Sequence, residues 1–376
     1  MKTLDQGYSV ATDNTTKDEW HQLMCQFVDA SFYQTQSYGV ARSTAGKPHF
    51  VILKRETVPA AMAQVRVYRP FGFGMGIAYV NSGPMWCEKG KPADLVVLRN
   101  MLRSLYNEYV VRSGCLLAIA PRIIQSVWSE PVASLYAEEG FQRRDETGQT
   151  LFLDLSPSLD EIRKSLSRNW RRYLRKGEAA NVDVIECTDD LTYIAVLQIE
   201  TEKQNRKTYQ ADSARTILQV HKDLPAALKL KLLLCRVDGR AAAALGWTTV
   251  GNIGMPLISS TGNFGLNLGL SHLLYWKMIE FYKLNGFTGI DLAGLSQKNQ
   301  PGVFFFKTQI LGKNFMQPDR YIGCFEACEN TASRVLYRCI CGARDSWRVL
   351  QQRFSKSSAP QGQRSRKLEA EGETAE

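Results

Sequence analysis

The stretch His49–Tyr68, HFVILKRETVPAAMAQVRVY, predicts two apolar strands joined by a short turn, and Lys229–Thr248, KLKLLLCRVDGRAAAALGWT, repeats that pattern. Each hairpin is followed by a glycine-punctuated segment, an apolar-periodic helix, a glycine and a short apolar strand. The helices are LRNMLRSLYNEYVVRSG and LSHLLYWKMIEFYKLNG, and the strands are CLLAIA and FTGIDLA. An offset of about 170 to 180 residues separates the two copies. The sequence therefore predicts a tandem of two similar units of mixed α/β class.

Composition is that of an ordinary globular protein. The chain has 376 residues, 44% of them apolar, and a mean hydropathy of −0.25, and it is long enough for two domains with separate cores. No apolar run approaches the roughly 18 to 20 residues that span a bilayer, and the first residues lack the hydrophobic core of a secretory signal. Nine scattered cysteines, poorly spaced for zinc, are typical of a reducing compartment. These features predict a cytoplasmic protein with no metal site.

The net charge is +10, and the excess of basic residues is concentrated in two groups. The first crowds one predicted helix and consists of Arg163, Lys164, Arg168, Arg171, Arg172, Arg175 and Lys176. The second lies near the C-terminus and consists of Arg334, Arg338, Arg344, Arg348 and Arg353. Such groups attract phosphorylated ligands, RNA or an anionic membrane surface; the alternative for each is a solvated helix face.

Local signals divide the chain into parts. We predict a first unit over residues 1–150, a second over 151–325, an amphipathic helical extension over 326–354 and a disordered tail over 355–376. The second unit opens with a capping box, Ser158-Leu-Asp-Glu161, for a helix that Gly177 should end. Asp238-Gly239 predicts a two-residue hairpin turn between apolar strands.

Several motifs, in the right order, are similar to those of the FemA/FemB/FemX-type transferases. Gln36-Ser37-Tyr38 resembles their Q-S-aromatic entry, and Tyr79-Val-Asn-Ser-Gly-Pro84 resembles their Y-I-P-R-G-P strand end. The cationic SRNWRRYLRK at 167–176 is similar to K-x-R-x-x-I-R-K-A. Asp291-Leu-Ala-Gly294, followed by PGVFFFK at 301–307 and Leu311-Gly312, resembles D-L-G-G…G-V-x-x-F-K-x-x-F-G. Together these motifs cover about residues 30 to 325.

The resemblance implies two tandem acyltransferase folds of the GNAT type, in agreement with the repeat, and acyl transfer to an amine or hydroxyl. In the family, aminoacyl-tRNA donates an amino acid to the stem peptide of a peptidoglycan precursor, while broader relatives are acetyltransferases or lie in polysaccharide pathways. This chain lacks the long coiled-coil arm of the staphylococcal members and has leucine where they have phenylalanine before the last glycine. The fold is therefore expected and the acceptor is left open.

Lys307 and Asp291 are the candidate catalytic residues. Four apolar residues, Val303 to Phe306, precede Lys307, so we expect it on a partly buried strand or loop, where its ammonium must find an anion. There it could stabilise a developing oxyanion or hold a donor phosphate, as the matching lysine of the family implies. Asp291, at a predicted strand end, could accept a proton from the incoming amine or orient it. The alternatives are a surface lysine and a carboxylate that caps the Ala293-Gly294 turn.

Other residues are candidates for binding the acceptor. Arg42 falls where the family often places a lysine that grips acceptor phosphates, and arginine would contact them bidentately. The further acceptor-binding candidates are Tyr79, Asn81, Arg206, Tyr209 and Phe306. For Tyr79 the alternative is a tyrosine packed in the core.

For the donor, the candidates are arginines and glycines. Arg168, Arg171, Arg172 and Arg175 would attract tRNA or a phosphorylated carrier. Gly265 and Gly269, in GNFGLNLG before a predicted helix, have the right context for amides that cradle the pyrophosphate of an acyl-CoA. No permanently bound cofactor is expected, and the co-substrate is aminoacyl-tRNA or acyl-CoA.

The leading hypothesis is an acyl or aminoacyl transferase that acts on a small-molecule or lipid-linked cell-envelope precursor or polysaccharide building block. The C-terminal amphipathic segment would hold such an enzyme against the inner membrane leaflet. One alternative is an acetyl-CoA-dependent N- or O-acetyltransferase of a small sugar or amino-acid derivative. Another is a non-catalytic RNA-binding or scaffold protein. The oligomeric state is left open.

Overall fold

The computed structural model describes residues 1–43, 47–70, 75–127, 130–144, 148–206, 214–295, 297 and 300–342. The predicted tail 355–376 and the end of the predicted extension lie outside these residues. In the first half the elements are β1 (Tyr8–Thr12), α1 (Lys17–Met24), α2 (Gln36–Arg42), β2 (His49–Arg55), β3 (Val58–Tyr68), β4 (Gly76–Asn81), α3 (Leu95–Leu105), β5 (Cys115–Ala120), α4 (Glu130–Glu138) and β6 (Gln142–Arg144).

The second half repeats this plan after two further helices. Its elements are β7 (Gln149–Thr150), β8 (Phe152–Asp154), α5 (Leu159–Ser165), α6 (Arg168–Ala179), β9 (Asp183–Glu186), α7 (Asp190–Arg206), α8 (Ala214–Asp223), β10 (Lys231–Val237), β11 (Arg240–Trp247), β12 (Ile253–Gly254), β13 (Pro256–Thr261), α9 (Leu270–Leu284), β14 (Gly289–Asp291), α10 (Pro301–Leu311), β15 (Asp319–Arg320) and β16 (Cys324–Ala327). The two predicted hairpins are β2–β3 and β10–β11, and the two predicted helices are α3 and α9. The predicted repeat is therefore confirmed, and it is built from matching strands and helices.

The two units exchange a strand. The first sheet has the order β1-β2-β3-β4-β5-β16-β6, in which β4 and β5 are parallel and β16 pairs antiparallel with both β5 and β6. In the second unit β14 is parallel to β12 and antiparallel to β8, which comes before the capped helix α5 in sequence. The strand beside β5 thus comes from the C-terminal end of the second unit, and the strand beside β14 comes from the segment that links β6 to α5. The predicted boundary at residue 325 falls inside β16, so sequence position alone does not separate the sheets.

Three apolar cores hold this arrangement together. One lies between the first sheet and helices α3 and α4. Another lies between the second sheet, of order β13-β11-β10-β9, the three-stranded sheet β12-β14-β8, and helices α5, α6, α9 and α10. The third is shared: Phe50, Ile52 and Met62 of the first sheet pack in one cluster with Leu232 and Leu234 of the second, together with side chains of α1, α7 and α8. Burial of apolar surface in this shared core fixes the units against each other.

Two predictions about helices need correction. The capping box at Ser158 forms as expected, but the helix breaks after Ser165, and Ser167 caps a second helix, α6. Gly177 does not end α6, which continues to Ala179. Gly177 is instead a point of close approach, because a Cβ there would lie 2.7 Å from the carbonyl oxygen of Gly269.

The chain beyond β16 returns to the first unit. Residues 331–342 are helical, which agrees with part of the predicted extension. Ser333 is fully buried; its hydroxyl donates to the carbonyl of Gly114 at 2.6 Å and accepts from the amide of Gly76 at 3.0 Å. This helix is thereby fixed to the starts of β4 and β5. None of the described helices combines the length and the apolar composition that crossing a bilayer requires.

The burial of β16 in the first sheet predicts that two phenylalanines contribute unequally to the free energy of unfolding. Phe325 of β16 is 1% exposed and stacks on Tyr136 with 4.1 Å between ring centroids, whereas Phe305 is 60% exposed. Phe325→Ala should lower the free energy of unfolding by about 3–5 kcal/mol, because it leaves a cavity in the first core. Phe305→Ala should change it by less than about 0.5 kcal/mol. Urea unfolding measures both, and equal effects would contradict the role given to β16.

Candidate active site

A buried carboxylate stands at the end of β14. Asp291 is 1% exposed. It accepts hydrogen bonds from the hydroxyl of Thr150 at 2.5 Å and from the hydroxyl of Tyr321 at 2.8 and 3.0 Å. Its Oδ1 atom also accepts from the amide of Ala293 at 2.9 Å. Asp291 therefore caps the following turn, which is the alternative role that the sequence suggested. It also joins its own segment to those of Thr150 and Tyr321, which are distant in sequence.

Its charged partner, Arg122, comes from the first unit. The Arg122 guanidinium lies 2.6 Å from Asp291 Oδ2 and over the rings of Tyr33 and Tyr321, 5.9 and 5.4 Å from their centroids. Burial disfavours the cation, but the Asp291 carboxylate outweighs burial, so the pKa of Arg122 is raised. Sequence reasoning missed Arg122. The signal was present, because Arg122 follows β5 and Asp291 ends β14, the equivalent strand of the repeat.

Lys307 lies close to this pair, but on a helix. The prediction of a strand or loop was wrong, because Pro301 begins α10 and Lys307 falls in its middle. The side chain is buried, and Nζ donates to the carbonyls of Ala293 and Gly294 at 2.9 and 3.0 Å. The pKa of Lys307 is lowered to about 8, chiefly by burial. The Asp291 carboxylate opposes this lowering, and the Arg122 guanidinium adds to it.

Asp291 and Lys307 hold one strained turn from two sides. Ala293 has a φ of 59°, in the left-handed region that non-glycine residues seldom adopt. Asp291 binds the amide of Ala293, and Lys307 binds its carbonyl. The structure thus brings both predicted catalytic residues together, with this turn between them. Strain of this kind is concentrated at functional sites.

A basic cavity of about 620 Å³ opens in the first unit. Its walls include Arg42 and Tyr79, both predicted, and also Arg66, Arg144 and Tyr337, which the sequence did not single out. The Arg66 guanidinium lies 5.3 Å from the centroid of the Tyr79 ring. Guanidinium groups beside aromatic rings suit a ligand with both phosphates and a planar ring.

A second, central cavity of about 350 Å³ adjoins the basic cavity and reaches Arg122. It is lined by Asn81, Arg122 and Tyr321, and it shares the lining residues Ala120 and Cys324 with the basic cavity. The predicted Arg42 and Tyr79 therefore line one cavity, and the predicted Asn81 lines the adjoining cavity together with Arg122.

The acceptor prediction for Phe306 gains no support from the geometry. The ring of Phe306 packs against His272, Tyr275 and Trp170, with centroids 4.9, 4.9 and 6.0 Å away, at the edge of the second core. Arg206 ends α7. Tyr209 lies outside the described residues.

Three of the four predicted donor arginines share a groove. Arg168, Arg171 and Arg175 of α6 line a cleft of about 300 Å³ together with Arg163 of α5. Arg172 differs: it donates to the side chain of Asn169 at 2.8 Å and does not line this groove. We call the set of Arg163, Arg168, Arg171 and Arg175 the arginine groove.

The predicted donor glycines have a packing explanation. A Cβ at Gly265 would collide with the carbonyl oxygen of Ala242, and a Cβ at Gly269 would collide with that of Tyr173. Gly269 also has a φ of 74°. Close backbone contacts within the protein are therefore sufficient to require glycine at both positions, and their role in binding a donor stays a prediction.

The repeated order of strands and helices, with a glycine turn before α9, is that of two GNAT-type folds in tandem. Residues 161–307 match the family model described as an acetyltransferase (GNAT) domain. This match confirms the predicted GNAT fold of the second unit and the predicted acyltransferase class.

Solved structures agree with the fold. FemX superimposes with a TM-score of 0.72 at 12% identity, over 88% of this chain and 99% of FemX. The C-terminal domain of a protein assigned as a lysylphosphatidylglycerol synthetase from Agrobacterium fabrum gives 0.55 at 12% identity, over 85% and 94%. A protein of unknown function from Bacteroides thetaiotaomicron gives 0.53 at 12% identity, over 85% and 99%. None of the curated protein sequences matches. The resemblance to FemA/FemB/FemX-type transferases is confirmed at the level of the fold.

The buried ion pair predicts a large cost for removing one partner. Arg122→Met leaves Asp291 buried with only neutral donors, so the free energy of unfolding should fall by about 3–5 kcal/mol. The matched exposed pair is Lys17–Asp223, whose side chains are 38% and 55% exposed, and Lys17→Met should cost less than about 1 kcal/mol. Urea unfolding compares the two. Adding Asp291→Asn to Arg122→Met should restore part of the loss, and its failure to do so would argue against a direct pair.

Proposed function

We propose that this protein transfers an aminoacyl group from aminoacyl-tRNA to an amine of a phosphorylated cell-envelope precursor. The observation that carries the proposal is that the basic cavity adjoins the central cavity, whose wall contains Arg122, the ion-pair partner of the buried Asp291. Together the two cavities offer a route from the basic end to this ion pair. Guanidinium groups at one end of the route suit the phosphates of a nucleotide-linked or lipid-linked acceptor. The positive groups at the other end suit the negative charge that develops on a reacting carbonyl.

The transfer step needs positioning more than a covalent intermediate. The acceptor amine attacks the carbonyl carbon of the donor ester, forming a C–N bond as the C–O bond to the ribose breaks. The nitrogen loses one proton, and the departing ribose oxygen gains one. Arg122 is the charged group that lines the central cavity next to the buried cluster, and it stabilises the oxyanion of the tetrahedral intermediate. Lys307 holds the turn after β14 in place and adds a second positive charge nearby.

Contacts around the glycine-rich segment favour aminoacyl-tRNA over acyl-CoA. The carboxylate of Glu202 accepts a hydrogen bond at 2.9 Å from the amide of Asn263, at the start of this segment. The amide of Gly262 donates to the carbonyl of Ala242, and the amide of Gly265 donates to the carbonyl of Gly262. A pyrophosphate approaching here would meet a negative charge and amides that already have acceptors. The arginine groove offers a polyanionic donor a more favourable contact.

Use of an acyl-CoA is the second candidate, favoured by the GNAT family match over residues 161–307. Incubation with a labelled aminoacyl-tRNA mixture or with acetyl-CoA, each together with an extract of envelope precursors, distinguishes them. We expect label from tRNA, and not from acetyl-CoA, in a phosphorylated product. For a lipid-linked acceptor, the proposal includes peripheral contact of the protein with the inner membrane leaflet.

Loss of the proton from Lys307 should set an upper pH limit for the transfer reaction. Its ammonium, whose pKa burial lowers to about 8, loses its charge as pH rises through that value, so the transfer rate should fall above pH 8. Lys307→Arg keeps the charge and should move this fall to higher pH, while Lys307→Ala should lower the rate about 100-fold at pH 7. Initial rates from pH 6 to 10 measure this, with thermal unfolding as the check on folding. An unchanged pH profile in Lys307→Arg would exclude this role.

The arginine groove should account for part of the salt dependence of tRNA binding. Replacing Arg168, Arg171 and Arg175 by alanine should weaken binding and make the slope of log K against log salt shallower by about 2. Arg172→Ala, on the same helix but outside the groove, is the control and should change the slope by less than 1. Filter binding at several salt concentrations gives both slopes. Equal slopes in the triple and single variants would place the tRNA contact elsewhere.

A further inference from the structure

A third cavity, the apolar cavity, has a volume of about 410 Å³ and is lined by both units. Phe32 and Trp86 of the first unit face Val250, Ile253 and Met255 of the second across it. Its volume lies within the range of small-molecule sites, and such sites are mostly apolar with a few placed polar groups. Neither the predicted acceptor residues nor the arginine groove belongs to it.

The apolar cavity and the central cavity adjoin. Ser82, Pro121 and Arg122 line both, and Asp291 lines the apolar cavity as well. A reacting nitrogen and a carbonyl carbon must come within about 3–3.5 Å of each other. If the acceptor amine arrives through the central cavity, the carbonyl of the transferred group has to lie at this common wall, and the apolar cavity is the space behind it.

One carboxylate in this cavity has only uncharged partners. Asp29 accepts hydrogen bonds from the amides of Trp86 at 2.8 Å and Cys87 at 3.1 Å, and from the Cys87 thiol. Burial raises the pKa of Asp29 to about 6, so at neutral pH the carboxylate is largely ionised. Lys91 also lines the cavity, but it is paired with Glu88 at 2.8 Å. Within the described part of the chain no cation pairs with Asp29, and a partly buried carboxylate is stabilised by one.

We propose that the apolar cavity binds the transferred group and selects an aminoacyl group with a large apolar side chain. The side chain lies among Phe32, Trp86 and Met255, the α-ammonium lies against Asp29, and the carbonyl faces Arg122. An acetyl group would leave most of the cavity unfilled and Asp29 without a cation. This inference rests on the proposed function, and it names the chemical class of the donor's acyl group.

Binding of small amides tests the inference without any transfer reaction. L-Phenylalaninamide carries the apolar side chain, the ammonium and a carbonyl; 3-phenylpropionamide lacks the ammonium, and glycinamide lacks the side chain. Isothermal titration of the full-length protein at pH 7 should show binding of L-phenylalaninamide at least about tenfold tighter than of either analogue. Asp29→Asn should abolish the preference over 3-phenylpropionamide, because the amide side chain cannot pair with the ammonium.

Substitutions that fill the apolar cavity are the second part of this binding test. Val250→Trp and Met255→Trp should each abolish binding of L-phenylalaninamide, while Val40→Trp, at a position 59% exposed and outside the cavity, should leave it unchanged. Equal affinity for the amides with and without the ammonium, or no binding by the wild-type protein, would overturn the inference. Because transfer from aminoacyl-tRNA is measured separately, its absence would instead overturn the proposed function and leave the binding result standing.

Discussion

The Arg122–Asp291 ion pair is the constraint on which the candidate site depends. It joins the two units where their equivalent strands, β5 and β14, end, and it lies in the wall of the apolar cavity, with Arg122 also in that of the central cavity. A buried pair of this kind is stable only when its remaining hydrogen-bonding capacity is satisfied, and the hydroxyls of Thr150 and Tyr321 do this for the carboxylate. A shift of one unit relative to the other therefore acts on Asp291, and through Asp291 on the turn at Ala293 that Lys307 also binds.

Local sequence patterns predicted most of the fold. Apolar runs on either side of a short turn marked the hairpins, and helical periodicity marked α3 and α9. Asp238-Gly239 marked a turn in which both residues have positive φ, 49° and 74°. The strand exchange could not be predicted in this way, because β8 and β16 have three and four residues and carry no signal for their partners. The helix at α10 was missed because Val303 and the phenylalanines favour strands, although Pro301 at its first position is a helix-start signal.

The candidate site could be predicted only where residues follow recognisable motifs. Lys307, Asp291, Arg42 and Tyr79 came from such motifs. The structure places Arg42 and Tyr79 in the wall of the basic cavity and Asp291 in that of the apolar cavity, with Lys307 bound to the turn that follows Asp291. Arg122 lies in a loop, and its partner is far away in sequence, so periodicity gives no information about their contact. The arginines of α6 illustrate the same limit. Their helix was predicted, yet only side-chain geometry separates Arg172 from the groove that its neighbours line.

The exchanged strand also has a consequence during synthesis. On the ribosome, β5 and β6 are complete long before β16, which pairs with both, has been translated. At about 5–20 residues per second, the intervening chain takes about ten to forty seconds to make. Throughout that interval the first sheet has open edges that nascent neighbours on the same messenger can pair with. A polypeptide made of two self-contained halves would bury those edges much earlier, so this architecture places the greatest risk of misassembly before β16 has been translated.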